Sequence, residues 1–221
     1  MTRAFHRMMT GTAIPRALSA AVLCLALAAA PATAQDPAAP TLPTEGLEER
    51  AHPGLETVMV RPGVDLGRYK SVLIAPVALT VTRERDQIAL QDRDANHAKD
   101  YFTRRLTDAF GAANLASQPG PGVLRLEVTI TEFVPNSPAI AQRQDRLGGV
   151  NMKSYSIGAA AFQAVLRDAE SGQVVAVLAD ADVGLPFGQN MNLTTQYGDA
   201  DKFLRRWAGE IARLVEGKAA S

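Results

Sequence analysis

Two aspartates close together on one predicted strand are the residues whose type and spacing come nearest to a catalytic pair. Asp180 and Asp182 lie two positions apart in a β-branched, apolar run, so on a strand both side chains point to the same face. Two carboxyl groups about 5–9.5 Å apart across a cleft can cleave a glycosidic bond as acid and base or as acid and nucleophile. A hydrolase or carbohydrate-active enzyme that uses this pair is therefore one alternative function.

The segment from Asp92 to Asn96 begins like a calcium-binding loop, with the pattern D-x-D-x-N. Such a loop needs glycine at its sixth position and glutamate at its twelfth, where this chain has His97 and Thr103. The acidic residues also precede a helical apolar pattern, and acids in the first turn of a helix complement the helix dipole. We therefore expect a helix start here, and we expect no metal ion and no cofactor.

The sequence contains no other motif that is typical of a particular reaction. The sequence has no G-x-S-x-G nucleophile motif and contains one cysteine, Cys24. The 23 basic residues are balanced by 23 acidic residues, and nucleic-acid binding needs a basic surface to displace counterions. We therefore predict a protein that is not an enzyme and has no nucleic-acid partner.

The first 34 residues have the composition of a secretory signal peptide, which would be removed on export. Three arginines precede an apolar run from Ala17 to Ala30, which is shorter than the roughly 20 residues that cross a bilayer. Small residues follow at the positions that signal peptidase recognises, Ala32 and Ala34. We predict cleavage between Ala34 and Gln35, a periplasmic location, and no membrane span in the processed chain.

A lipid-modified Cys24 is the alternative outcome of processing. The residue before a lipidated cysteine is usually small, whereas this chain has Leu23 there, and the apolar run continues beyond Cys24. We therefore favour ordinary cleavage, which leaves a mature chain without cysteine and with a small acidic excess.

Hydrophobic periodicity divides the rest of the chain into a tether, one domain and a short tail. Residues 35–55 are rich in Pro, Ala and Glu without an apolar period, which predicts an extended flexible tether. Residues 56–217 predict a single α+β domain, and residues 218–221 a tail. Alternating or continuous apolar runs predict strands over Ser71–Leu79, Val123–Val134, Ile157–Arg167 and Val174–Val183, with a further short strand over Glu56–Val60.

Two amphipathic patterns predict helices from about Ala95 to Ala113 and from Asp199 or Asp201 to about Val215, with Asp199 as N-cap. A third, short helix is predicted between Pro135 and Ser154. The element order is thus β-α-β-(α)-β-β-α. It favours a two-layer α+β sandwich, in which a mostly antiparallel, twisted sheet of about four strands carries the helices on one face.

Polar loops next to this sheet are the candidates for partner binding, because binding residues concentrate on loops that a rigid scaffold positions. The candidates are Arg143, Arg146, Gln189 and Asn190, together with Asp180 and Asp182. The strands over Ile157–Arg167 and Val174–Val183 are rich in small side chains. We therefore expect an edge strand that pairs with another envelope protein or a second copy, with the two aspartates as charged gatekeepers.

Three stretches together resemble a bacterial envelope family catalogued as domain of unknown function 3313. They are Val60–Val77, Ile157–Gly184 and Gly198–Val215. The family has no established activity, so the resemblance implies an envelope location and a topology but no catalytic residue. The sequence thus favours a non-enzymatic periplasmic partner-binding or assembly module. The alternatives are the hydrolase above and a small-ligand or lipid carrier with an apolar cavity between sheet and helices.

Processing of the leader is directly measurable. We expect the exported protein to begin at Gln35, which the intact mass of protein from the periplasmic fraction determines. Cys24→Ser should leave this mass pattern unchanged, whereas Ala34→Leu should block cleavage because a bulky side chain replaces the small residue that the peptidase recognises. A mature N-terminus carrying lipid on Cys24 would contradict the prediction.

Overall fold

The computed structural model describes residues 41–80, 90–136, 158–184 and 195–217, all of which belong to one compact unit that spans residues 35–221. These residues form an α+β fold with a seven-stranded sheet and two α-helices. The predicted signal peptide, the third helix and the tail lie outside the described residues.

The strands and helices have the following bounds. The strands are β1 Glu48–Glu49, β2 Thr57–Val60, β3 Ser71–Ile74, β4 Ala78–Leu79, β5 Val123–Val134, β6 Ala159–Asp168 and β7 Val174–Val183. The helices are α1 Asp92–Phe110 and α2 Gly198–Val215. The predicted bounds of β5 and β7 are confirmed, and those of β6 and the two helices differ by a few residues at their ends.

The sheet is mixed and wider than the four-stranded, mostly antiparallel sheet that the sequence predicts. Its strand order is β1-β2-β7-β6-β5-β3, with β4 also beside β5. From β1 through β2, β7 and β6 to β5, each strand is antiparallel to the next, whereas β3 and β4 run parallel to β5. The parallel pairing arises because α1 carries the chain back from β4 to the start of β5, as a crossover connection does.

A proline divides the strand that the sequence predicts over Ser71–Leu79. Strand β3 ends at Ile74 and β4 begins at Ala78, with Pro76 between them. Proline has no N–H to donate to a neighbouring strand, so it is confined to sheet edges and bends. Both short strands lie at the β5 side of the sheet, as the position of Pro76 predicts.

Alternation along β5 separates the two faces of the sheet. Leu124, Leu126, Val128 and Ile130 are buried, while Arg125 is exposed on the opposite face. Each such burial contributes about 1.5–3 kcal/mol. Both predicted helix stripes are buried in the same core, through Ala98, Phe102, Leu106 and Phe110 of α1 and Phe203, Trp207, Ile211, Leu214 and Val215 of α2.

The two Ala- and Val-rich strands are not edge strands, so the predicted edge pairing through them is wrong. Strand β6 lies between β5 and β7, and β7 lies between β6 and β2. The pairing of β2 with β7 stops at Thr57 and Ala179, which leaves the end of β7 beyond it. There the Asp180 carboxylate accepts a hydrogen bond from its neighbour's backbone N–H, that of Ala181 (2.8 Å).

Residues 41–55 differ from the extended tether that composition predicts. Strand β1 pairs Glu48 with Val60 of β2, and both Leu47 and Leu55 are buried. Isolated leucines in a Pro- and Glu-rich segment have no period, so their burial depends on the sheet that they pack against.

The predicted hairpin between β6 and β7 is confirmed in detail. Gly172 has a φ of 73°, a left-handed conformation that strains residues with a Cβ. The Asp168 carboxylate accepts hydrogen bonds from the backbone N–H groups of Glu170 and Ser171 and from the Ser171 hydroxyl. These bonds, led by that from the Ser171 N–H, lower the pKa of Asp168.

Replacement of Trp207, which is fully buried, tests how much the stability of the fold depends on the apolar stripe of α2. We expect Trp207→Ala to lower the free energy of unfolding by about 3–5 kcal/mol because it leaves a large cavity. Urea unfolding followed by circular dichroism measures this, since Trp207 is the single tryptophan and its variants lack tryptophan fluorescence. The exposed Arg205→Ala, on the same helix, is the control and should change stability by less than about 0.5 kcal/mol. An unchanged midpoint for Trp207→Ala would contradict the buried position.

Candidate functional site

One end of the sheet, which we call the loop pole, collects the ends of several elements. Here Val134 at the end of β5 pairs with Ala159 at the start of β6, which in turn pairs with Val183 at the end of β7. Both helices begin at this end. The described residues that flank three connections also lie here: residues 80 and 90, 136 and 158, and 184 and 195. The loop pole is therefore where three connections start from a single rigid end of the sheet.

A buried aspartate joins the strand ends to the first turn of α2. Oδ2 of Asp199 accepts hydrogen bonds from Nδ2 of Asn136 (2.7 Å) and from the backbone N–H of Gly158 (3.1 Å). In return the Asp199 backbone N–H donates to Oδ1 of Asn136 (3.1 Å). The predicted N-cap role of Asp199 is wrong: Tyr197 occupies that position, and Asp199 lies inside the first turn. The helix dipole still favours its negative charge there.

Two glycines give this carboxylate its space. A Cβ on Gly184 would lie 2.2 Å from Oδ2 of Asp199, and a Cβ on Gly158 would lie 2.9 Å from both Oδ1 of Asn136 and Cβ of Asp199. The N–H of Gly184 also donates to the carbonyl of Gly158 (2.8 Å). The ends of β5, β6 and β7 thus meet around one carboxylate.

A second buried aspartate fixes the start of α1 to the same region. Oδ1 of Asp94 accepts hydrogen bonds from the Tyr197 hydroxyl (2.6 Å) and from Nε2 of Gln196 (3.2 Å). Burial raises the pKa of Tyr197, and the hydrogen bond to Asp94 raises it further. Asp94 is in the first turn of α1, as its spacing predicts, and the residues of the calcium-like pattern are helical.

His97 lies between the helices and bridges them. Its Nε2 is 2.8 Å from Oδ1 of Asp201 on α2. Its ring stacks on Tyr197 with a centroid distance of 3.8 Å and on Tyr101 at 5.7 Å, with Phe133 of β5 at 6.3 Å. Packed against these aromatic rings and paired with Asp201, His97 holds α1 on α2.

Burial dominates the electrostatics of this pair. It raises the pKa of the Asp201 carboxyl, and the hydrogen bond with His97 lowers that pKa only in part. The positive charges of Arg104 and Arg105 also favour the ionised carboxylate. The His97–Asp201 pair therefore joins α1 to α2, and the Asp201 carboxyl loses part of its contact with water in doing so.

The predicted carboxylate pair on β7 is brought together, on the face that α2 covers. Arg206 of α2 lies 3.3 Å from Oδ2 of Asp180 and also pairs with Asp182. The indole N–H of Trp207 donates to Oδ2 of Asp180 (2.9 Å). Burial raises the pKa of Asp180, and the negative charge of Asp182 adds to this effect. Both carboxylates thus bind α2 to the sheet.

The other predicted site residues cannot be placed. Arg143, Arg146, Gln189 and Asn190 lie outside the described residues, as do Ala34 and Gln35. The described residues that flank Arg143, Arg146, Gln189 and Asn190 in the sequence are Asn136, Gly158, Gly184 and Thr195, which lie at the loop pole.

Sequence reasoning missed the buried contacts that build this pole. The spacing of Asp94, His97 and Tyr101 on one helix face was an available signal, because residues three and four apart are neighbours. Asn136 gave no signal, since its partner Asp199 is 63 positions away.

The described ranges hold no helix with both the length and the apolar composition that a membrane crossing requires. Within the same ranges, no three His, Cys, Asp or Glu side chains are placed to share a metal ion.

Gly184 and Asp199 allow a direct test of the carboxylate at the pole. We expect Gly184→Ala to destabilise the protein because its methyl group meets Oδ2 of Asp199. Adding Asp199→Ala should then cost less than the sum of the single changes, with a coupling of about 1 kcal/mol or more in urea unfolding. Gly209→Ala is the matched control, because a Cβ there meets no atom within 4 Å and alanine favours helix. Additive costs would contradict the close contact.

Comparison with known proteins finds distant structural likenesses. The fold is similar to a PelC dodecamer from Paraburkholderia phytofirmans, with 14% identity, a TM-score of 0.40 and coverage of 70% of this chain and 96% of that chain. It is similar to lipoprotein GNA1162 from Neisseria meningitidis, with 10% identity, a TM-score of 0.34 and coverage of 55% and 86%. A minor lipoprotein from Acinetobacter baumannii has 9% identity, a TM-score of 0.31 and coverage of 69% and 98%. Likenesses at this distance carry no argument about function.

The match to a family is much more extensive. Among proteins of curated function, none matches the chain significantly. A family model described as "Protein of unknown function (DUF3313)" matches residues 21–211, which is most of the sequence and includes every strand, all of α1 and most of α2. The chain belongs to this family, as the three stretches of its sequence predict.

Proposed function

We propose that this chain is an exported, non-enzymatic protein of the bacterial cell envelope that binds a partner, or a second copy of itself, at the loop pole. The observation that carries the proposal is the convergence of three chain connections on one rigid end of the sheet. Connections held by a rigid scaffold are where binding residues concentrate. The predicted binding residues Arg143, Arg146, Gln189 and Asn190 belong to two of these connections.

Rigidity at the pole supports this proposal. The Asp199 carboxylate holds Asn136 and Gly158, and the Gly184 N–H bonds to Gly158. The flanks of two connections are thereby fixed relative to α2. Binding of a partner there costs less conformational entropy than binding to a flexible surface, because these flanks are already fixed before the partner arrives.

The charged side chains described at the pole support binding over catalysis. Asp94 accepts from Tyr197, Asp201 lies against His97, and Asp199 accepts from Asn136. Each of these carboxylates holds two elements of the fold together. A general acid or base must instead reach a substrate atom.

Export is the second part of the proposal and rests on the leader. Basic residues, a short apolar run and the Ala32-Thr33-Ala34 site are typical of a signal peptide that peptidase removes. We therefore place the processed chain in the periplasm.

The hydrolase alternative has less support from the geometry. Asp180 and Asp182 share Arg206, and Asp180 also accepts from Trp207. A carboxylate pair that is held by one guanidinium of α2 already has a structural role in attaching that helix.

Site-specific crosslinking tests the docking position. Because the mature chain lacks cysteine, Val183→Cys at the pole introduces a single attachment point at a side chain that is 63% exposed. Coupled to a maleimide photocrosslinker, this variant should form discrete adducts, with itself or with envelope proteins, that excess unlabelled mature protein suppresses.

Gln173→Cys is the matched control, since Gln173 is exposed on the hairpin at the opposite end of the sheet. It should give few or no adducts under the same illumination. Equal adduct formation at both positions, or none at Val183→Cys, would exclude docking at the loop pole.

A further inference from the structure

Strand β7 is an interior strand over most of its length, but its last residues have a neighbouring strand on one side only. Strand β6 pairs with β7 to its end, whereas the pairing of β2 with β7 stops at Thr57 and Ala179. Before Thr57 the chain turns away toward α2, where a Cβ on Gly54 would meet the carboxyl group of Glu210. Within the described ranges, no strand therefore lies beside Asp180–Val183 on this side, and we call these residues the open edge.

The direction of the backbone groups follows from the pairing with β6. The Gly184 N–H donates to the carbonyl of Gly158, which leads into β6 (2.8 Å). Because this direction alternates along an antiparallel strand, the N–H and C=O groups of Val183 and Ala181 point away from β6, to the open edge. The Ala181 N–H donates to the Asp180 carboxylate (2.8 Å). The Ala181 carbonyl and both backbone groups of Val183 are left to pair with an added strand.

The two faces of the sheet present different side chains at the open edge. Asp180 and Asp182 lie on the face that α2 covers, where Arg206 holds both of them. Two carboxylates against one guanidinium leave a negative charge on this face. Ala181 and Val183 project from the opposite face, and both are exposed. An added strand with basic residues on one face and apolar residues on the other matches this arrangement.

Apolar side chains on the face away from the helices form a row that ends at the open edge. Val134 of β5 pairs with Ala159 of β6, which pairs with Val183 of β7, so the three side chains lie side by side. In the part of the chain that the structure describes, Val134 and Val183 are the two large apolar side chains that are exposed. An apolar residue on an added strand, directly opposite Val183, would extend this row and cover Val183.

A second copy of this chain fits the open edge poorly. Antiparallel pairing of two copies through this edge would keep the same faces together, with residues of even number opposite residues of even number. Asp182 would then lie opposite Asp180 or Asp182 of the second copy. Like charges directly opposite each other destabilise a strand pair, so the charge favours a different protein as partner.

We propose that the open edge of β7 binds an extended segment of another protein as an added antiparallel strand, in which basic residues alternate with apolar ones. The added strand takes the place that β2 leaves beyond Ala179. Its apolar residues lie opposite Val183 and Ala181, and its basic residues lie beside Asp182. This inference rests on the proposed docking function, because the open edge is part of the loop pole, and it adds the chemistry of the partner.

Fluorescence anisotropy with labelled synthetic peptides tests the charge of the partner. The first probe is a short peptide that alternates lysine and valine, and the second has glutamate in place of every lysine. We expect the mature protein to bind the lysine peptide saturably. The glutamate peptide should bind at least about tenfold more weakly, because its carboxylates would lie beside Asp182.

N-methylation of the peptide tests strand addition with the unchanged protein. The residues opposite Val183 and Ala181 must turn their own N–H groups toward β7, and on this peptide these residues are the valines. N-methylation of the valines should therefore weaken binding by about tenfold or more, because it removes the hydrogen bonds to β7. N-methylation of the lysines leaves those N–H groups intact, so this peptide, which has the same composition and charge, should bind as the parent peptide does.

Substitution of Val183 makes the same test from the side of the protein. Val183→Pro removes an N–H that faces the open edge but no hydrogen bond to β6, so the melting temperature should stay close to that of the wild type. Peptide binding should weaken by about tenfold or more. Val183→Ala keeps the N–H and loses only apolar area, so binding should weaken by about threefold.

The outcomes separate strand addition from docking in general. Strand addition is overturned if the lysine peptide does not saturate, if the two N-methylated peptides bind equally, or if the glutamate peptide binds as tightly as the lysine peptide. Adducts at Val183→Cys together with any of these results would leave docking at the loop pole standing and exclude an added strand as its form.

Discussion

The carboxylate of Asp199 sits where the α-helical layer meets the ends of three strands, and the geometry of the loop pole depends on it. It is buried in the first turn of α2, where the helix dipole and two hydrogen bonds compensate its lost hydration. Gly158 and Gly184 leave room for the Asp199 side chain, since a Cβ at Gly184 would meet its carboxylate and one at Gly158 would meet its Cβ. Because this contact fixes the strand ends relative to α2, the connections that start there begin from defined positions.

The two faces of the sheet have different physical roles. The helix-facing side is filled by large apolar groups such as Phe162 and Trp207, with Asp180 and Arg206 closing one end of that layer. The opposite side is polar along β5 and β6 and is crossed by residues Thr41–Pro43. A polar surface covered by an extended segment packs less completely than an apolar core, because each buried polar atom also needs a partner of suitable geometry. A half-open cavity, which Gln163 helps to line, remains on that side of the sheet.

The family is one of unknown function, so membership assigns no reaction to this chain. Its function has to be inferred from its own surfaces. The surface proposed here for binding is the loop pole, where Asp199 fixes the strand ends relative to α2. The acids that resemble catalytic groups in the sequence, Asp180 and Asp182, instead join α2 to β7.

Local patterns in the sequence determined the elements and their buried sides. The alternation along β5 and the stripe from Phe203 to Val215 identified core residues correctly, because side-chain direction within a strand or helix depends only on local geometry. Tertiary structure determined which of these elements and residues are neighbours in space. The parallel pairing of β3 with β5, the burial of Leu47, and the meeting of Asn136 with Asp199 across 63 positions all join residues distant in sequence. Contacts of that kind depend on the packing of the whole chain, and neither periodicity nor residue type encodes them locally.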